Sequence, residues 1–160
     1  LFVIRIESGE TPEFVATIRR LFVEYSESIE VDLCFQGFAD ELARLPGDYA
    51  RPAGRLLLAF EDSQAIGCGA LRPIDGSVCE MKRLYIRPAW RGKGAGGALI
   101  NALVRSAREI GYRTMRLDTL PSMKTAIAIY CSLGFKEIAP YRANPVPGAL
   151  FFELDLNRDS

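Results

Sequence analysis

The chain has 160 residues, 49% of them hydrophobic, which is enough for one well-formed core and too little for two ordinary domains, so a single domain over residues 1–160 is expected. Twenty basic residues balance twenty acidic ones, so no global field draws the chain to nucleic acid or to an anionic membrane, and small ligands become the expected partners. There is no histidine, and Cys34, Cys68, Cys79 and Cys131 form no CxxC pair; zinc-site patterns are missing, no metal is expected, and the thiols read as reduced in a cytoplasmic protein.

Residues 2–7 alternate as a short strand rather than forming a signal peptide's apolar block, and no run approaches the roughly eighteen apolar residues of a membrane span. Leu1 is not an initiating residue, so the natural start is expected upstream. Thr11-Pro12-Glu13 supplies a cap, a first-turn proline and an early acid. The helix they open carries Phe14, Ile18, Leu21, Phe22, Tyr25 and Ile29 at helical spacing, and a second helix carries Phe38, Leu42 and Leu45 before Pro46-Gly47 stops it. Residues 55–61 and 65–71 read as neighbouring strands around Asp62-Ser63-Gln64, and residues 78–87 as the next, after Asp75-Gly76. From Ala98 the set Leu99, Ala102, Leu103, Ala107 and Ile110 forms a helix ending at Gly111, and a strand over 114–120 completes a crossover. A further helix carries Ala126, Ile129, Tyr130 and Leu133 to Gly134. Residues 135–139 and 149–156 are closing strands separated by a proline-rich loop. This order predicts a mixed sheet, antiparallel at its start and parallel around the crossover, with helices on its faces and a ligand entry where the two regimes meet.

Arg91-Gly92-Lys93-Gly94-Ala95-Gly96 joins a strand to a helix. Three alternating glycines there leave the first helical amides open to an anion, with the helix dipole and the two cations adding attraction. A diphosphate fits that need better than a merely tight connection does. The turn is not a Walker A loop, since no GxxxxGK[ST] spacing is present, and it lacks the GxGxxG order of a dinucleotide fingerprint; Asp118 is better explained as a strand-end residue than as a ribose ligand.

The segment resembles the coenzyme A pyrophosphate loop of the GNAT superfamily of acetyltransferases, whose pattern of Gln or Arg, two residues, Gly, one residue, Gly or Ala is matched by Arg91, Gly94 and Gly96. The likeness extends through Glu80-Met81-Lys82-Arg83-Leu84-Tyr85-Ile86 upstream and through Ala126, Tyr130, Gly134 and Phe135 downstream, covering residues 78–135 closely. What the resemblance implies is an α/β (α+β) fold with a mixed, mostly antiparallel sheet of six to seven strands, helices on both faces and a splay at the fourth strand. It further implies acetyl-CoA as co-substrate, bound by Leu84, Tyr85, Ile86, Arg91, Gly92, Lys93, Gly94, Ala95 and Gly96.

Cys79 and Met81 share one parity of the strand before the turn, and Leu84 and Ile86 the other. A β-bulge near Lys82-Arg83 accounts for that, and so does a strand buried on both faces. The resemblance implies the bulge, with pantetheine bonded to the backbone of Leu84 and Ile86 and the Leu84 amide polarising the thioester carbonyl. Tyr130 falls where the superfamily places the tyrosine that protonates the departing sulfur; an ordinary core tyrosine is the competing reading, because 126, 129, 130 and 133 form one apolar face. Glu80, eleven residues before Arg91, falls where many members carry a catalytic glutamate. Four strand residues place it roughly 13 Å from Leu84, so a water relay is required, and a pairing with Lys82 or a neighbour explains Glu80 equally well. Met123 stands where many members have a coenzyme-contacting asparagine, with Ser122 or Thr119 as replacements. Cys131 reads as packing, turned about 100 degrees from Tyr130.

The expected reaction is direct transfer in a ternary complex to a primary amine of a small molecule, amino acid or peptide. A non-catalytic acyl-CoA sensor and a nucleotide-binding enzyme are the alternatives. Acceptor choice is expected to lie in residues 26–38 and 141–148, where Glu27, Glu30 and Asp32 suit an ammonium group and Tyr25, Phe35, Phe38 and Tyr141 an apolar portion. A homodimer through an exposed edge strand is a further expectation.

Overall fold

The computed structural model describes residues 3–29 and 37–157. Seven strands form one sheet: β1 (Ile4–Ser8), β2 (Arg55–Glu61), β3 (Gln64–Pro73), β4 (Val78–Ile86), β5 (Thr114–Thr119), β6 (Lys136–Ile138) and β7 (Leu150–Asp155), in the spatial order β1-β2-β3-β4-β5-β7-β6. Only β4 and β5 run parallel, joined by the crossover helix α3 (Ala95–Ile110); every other neighbouring pair is antiparallel. Helices α1 (Pro12–Ser28) and α2 (Phe38–Arg44) precede β2, and α4 (Lys124–Ser132) follows β5. No helix among the described residues is long and apolar enough to cross a membrane.

The helices start and stop for local reasons. The Thr11 hydroxyl accepts the amide of Phe14 at 3.3 Å, and Pro12 opens α1 in the first turn. Its inward stripe of Val15, Ile18, Leu21 and Phe22 is buried against Leu56, Leu58, Cys68 and Ala70 on one face of the sheet. On the opposite face α3 buries Leu99, Ile100, Leu103 and Ala107 with Cys79, Met81 and Met115. It ends at Gly111, whose amide reaches the carbonyls of Ala107 and Arg108. The helix begins at Ala95, three residues before the onset expected at Ala98, because Gly96 and Gly97 carry no apolar side chain for a periodicity to register.

The strand before the turn carries a bulge. Cys68 of β3 opposes Tyr85 and Ala70 opposes Lys82, so one residue of β3 faces two of β4, Arg83 and Leu84. Arg83 takes the left-handed conformation with φ 59°. The phase change puts Leu84 and Ile86 on the same α3 face as Cys79 and Met81, while Tyr85 joins the α1 face. Gly67 lets the β4 backbone draw close, since a Cβ there would lie 2.6 Å from the Tyr85 carbonyl oxygen. Parallel pairing of β4 with β5 ends at Glu80 and Arg116, and beyond it the two strands diverge.

Candidate active site

A cleft of about 560 Å³ opens along this divergence. It is lined by Leu84, Tyr85 and Ile86 of β4, by Arg91, Gly92, Gly94, Ala95 and Gly96 of the turn, and by Ser122, Met123 and Ile129 across the gap. Of the nine residues named for coenzyme contact only Lys93, exposed on the turn, is not among those lining it. Gly94 caps α3 with φ 92°, a conformation that a side chain would strain. The first intrahelical bond is from Ala98 to the Gly94 carbonyl, leaving the Ala95, Gly96 and Gly97 amides without a helical acceptor. Arg91 donates from Nε to the Ile86 carbonyl at 2.9 Å and lies 5.8 Å from the Tyr85 ring centroid, which clamps the turn onto the strand end. Glu24 of α1 fixes the same end, taking both arms of Arg87 at 3.0 and 2.8 Å and the Tyr85 hydroxyl at 3.2 Å.

A smaller cleft of about 40 Å³ adjoins it at the β4–β5 gap, lined by Tyr25, Lys82, Leu84, Asp118, Thr119 and Tyr130 among others. Tyr130 is buried, packed on Phe135 and Phe152 with ring centroids 5.4 and 6.3 Å away. Burial pushes its phenol well above the usual tyrosine range, and the nearby carboxylate of Asp118 adds to the shift. Met123 lines both clefts, its sulfur accepting the Thr119 hydroxyl at 3.5 Å.

Glu80 sits on the α1 face of β4 and is 1% exposed. Its Oε1 accepts Arg72 Nε at 3.0 Å, its Oε2 accepts the Tyr141 hydroxyl at 2.6 Å, and Arg142 pairs with the same Oε2. Its partners are thus Arg72 on the neighbouring strand and the loop before β7. Arg142 also lies 3.6 Å from Asp118, which accepts Asn144 Nδ2 at 3.1 Å. Asp118, read as a strand-end residue, therefore also faces the gap and ties down the same loop.

Of the acceptor-side residues, Tyr25 lines both clefts, Phe38 packs beneath Arg83, Tyr141 is committed to Glu80, and Glu27 is exposed. Glu30, Asp32 and Phe35 lie outside the described residues. Cys131, expected as packing, is exposed instead, because α4 turns that position away from the sheet. Sequence reasoning passed over Lys82 and the pair Arg83–Glu41. The available signal was three charges, Glu80, Lys82 and Arg83, inside an otherwise apolar strand.

Comparison with known proteins agrees with this geometry. The chain is 36% identical over 157 residues to an uncharacterised N-acetyltransferase of Schizosaccharomyces pombe, covering 97% of this chain and 96% of that one. Its fold matches a GNAT-family acetyltransferase from Staphylococcus aureus with a TM-score of 0.78 at 17% identity, over 96% of this chain and 99% of that one. It also matches the PaiA N-acetyltransferase of Thermoplasma acidophilum, solved in complex with coenzyme A, with a TM-score of 0.71 at 20% identity, over 96% and 99%. The model of the acetyltransferase (GNAT) family matches residues 15–135, and the chain belongs to that family.

Proposed function

We propose that this acyltransferase moves an acetyl group from acetyl-CoA to a primary amine of a small molecule, amino acid or peptide, by direct attack in a ternary complex. The observation that carries the reading is the adjacency of the two clefts, which share Tyr25, Leu84 and Met123 and are lined from the glycine turn and Leu84–Ile86 to Tyr130. The pyrophosphate would lie on the amides at the start of α3, with Arg91 and Lys93 beside it, and the pantetheine along the diverging edge of β4. The bulge sets Leu84 outside the regular register, and its amide is suited to polarise the thioester carbonyl. Tyr130 supplies the proton that leaves with the sulfur. Glu80 enters this reading as the anchor of Arg72 and the Tyr141–Arg142 loop, since both of its oxygens are engaged. The position of Cys131, exposed and on a different face from Tyr130, favours direct attack over an acyl-enzyme.

The test is thiol release from acetyl-CoA and longer acyl-CoA thioesters across a panel of amines, amino acids and peptides. Amine-dependent release, fastest with the acetyl thioester, is expected. Tight acetyl-CoA binding with no release from any amine would replace this reading with an acyl-CoA sensor. Binding itself is checked with Gly96→Val. A Cβ at Gly96 meets only Ile86 Cγ1, at 3.9 Å, so the melting temperature should stay close to the parent's. Coenzyme A affinity, read by calorimetry, should fall about tenfold, because the side chain occupies the cradle.

A further inference from the structure

Lys82 is 5% exposed near the middle of the sheet, opposite Ala70 of β3. A lysine this deeply buried is uncommon, and no role proposed above uses it. It lies two residues beyond the last parallel pairing of β4 with β5, so it borders the open part of the gap. Glu80 shares its parity but is held at the closed end, whereas Lys82 lines the same small cleft as Leu84 and Tyr130. About 40 Å³ there is room for a few waters or the aminomethyl end of an acceptor.

We propose that Lys82 is the general base of the transfer, its neutral amine taking the proton from the acceptor ammonium inside the β4–β5 gap, opposite the acid Tyr130. The assignment rests on the acyl-transfer reading above. The deprotonated acceptor attacks the thioester carbonyl and forms the C–N bond. As the C–S bond breaks, Tyr130 gives its proton to the sulfur, and the remaining excess proton on nitrogen restores the phenol. The products are the amide and the thiol, and the proton held by Lys82 is released to solvent.

The surroundings suit a base that works near neutrality. Charged and titratable groups surround Lys82 from the elements packed around it: Tyr25 of α1, Arg83 of β4, Asp118 of β5 and Tyr130 of α4 line the gap, Glu41 of α2 and Arg72 of β3 act on Lys82 through their charge, and Arg142 from the loop before β7 lies beside Asp118. Burial lowers the proton affinity of Lys82 most, the charge of Arg83 and then Arg72 lowers it further, and Asp118 and Glu41 oppose both, leaving it at about 7. With a depressed value, the neutral form needed for catalysis dominates above that pH and is lost below it.

The experiment is a pH profile of kcat/KM, combined with NMR titration of the lysine side chains in the unaltered protein. The unaltered enzyme should gain activity up to a plateau through a midpoint near 7, matched by one lysine resonance titrating there. Lys82→Met and Lys82→Arg should lose about 100-fold at pH 8 and lose that limb, with acetyl-CoA affinity unchanged. Trimethylamine, a base that forms no stable amide, should restore part of the rate to Lys82→Ala, and Glu80→Gln should keep the limb. A limb that persists in Lys82→Met, a Lys82 resonance that stays charged to pH 9, or Lys82 found stably acetylated after turnover would each overturn the assignment while leaving the transferase reading intact. Absence of transfer from the unaltered protein to any amine would overturn both.

Discussion

Tyr130→Phe should lower kcat about 100-fold while the dissociation constant for acetyl-CoA stays within about twofold. The substitution removes one hydroxyl and keeps the ring that packs on Phe135 and Phe152, so the fold has little reason to change. The loss should fall equally on kcat and kcat/KM, because a proton given to a departing sulfur acts only in the transition state. Burial and the nearby charges hold the phenol protonated throughout the working range, so the parent should show no loss of activity attributable to Tyr130 ionisation below pH 9. A steady-state assay of thiol release, with calorimetry for binding, decides the matter. A Phe variant as fast as the parent would leave Tyr130 as packing alone.

Glu41→Ala should cost about 3–5 kcal/mol of stability, read as a drop in melting temperature on the order of 10 °C. Arg83 has a side chain 2% exposed, and Glu41 takes its Nε and Nη2 at 2.9 Å each in a two-point pair. The guanidinium also faces the rings of Phe38 at 5.2 Å and Tyr25 at 5.9 Å. Removing the carboxylate takes a two-point ion pair away from a buried guanidinium. The double substitution Glu41→Leu with Arg83→Met should recover most of the loss, since the cost lies in a buried charge left with weaker compensation rather than in the absence of the pair. Urea melts of the two variants and the parent make the comparison.

Local signals in the sequence were read well. The glycine turn and the capped start of α1 each depend on residues within one or two turns of one another, where spacing constrains geometry, whereas the phase change across Lys82-Arg83 fitted a bulge or a strand buried on both faces until the family resemblance favoured the bulge. The strand limits 55–61 were legible because the turn residues 62–63 bound them. The acceptor side was not legible. Glu41 meets Arg83 across 42 residues, and Tyr141 meets Glu80 across 61, so each pairing follows from how α2 and the last loop fold over the sheet. Glu80 shows the consequence: its position before Arg91 suggested chemistry, and its burial among Arg72, Tyr141 and Arg142 became visible only in three dimensions. Lys82 was passed over for a related reason. A lysine between Glu80 and Arg83 reads as one charge of a cluster until the divergence of β4 from β5 supplies a cavity beside it.

The kink in β4 beside the cleft is fastened by a side chain from α2, and the carbonyl of the kinked residue is held by the Cys68 thiol at 3.4 Å. A chimera that imports the α1–α2 segment of another family member would therefore also exchange the bolt that keeps the bulged end of β4 in shape. Such grafts should succeed only when the imported segment brings a carboxylate at the position of Glu41, or when Arg83 is exchanged along with it.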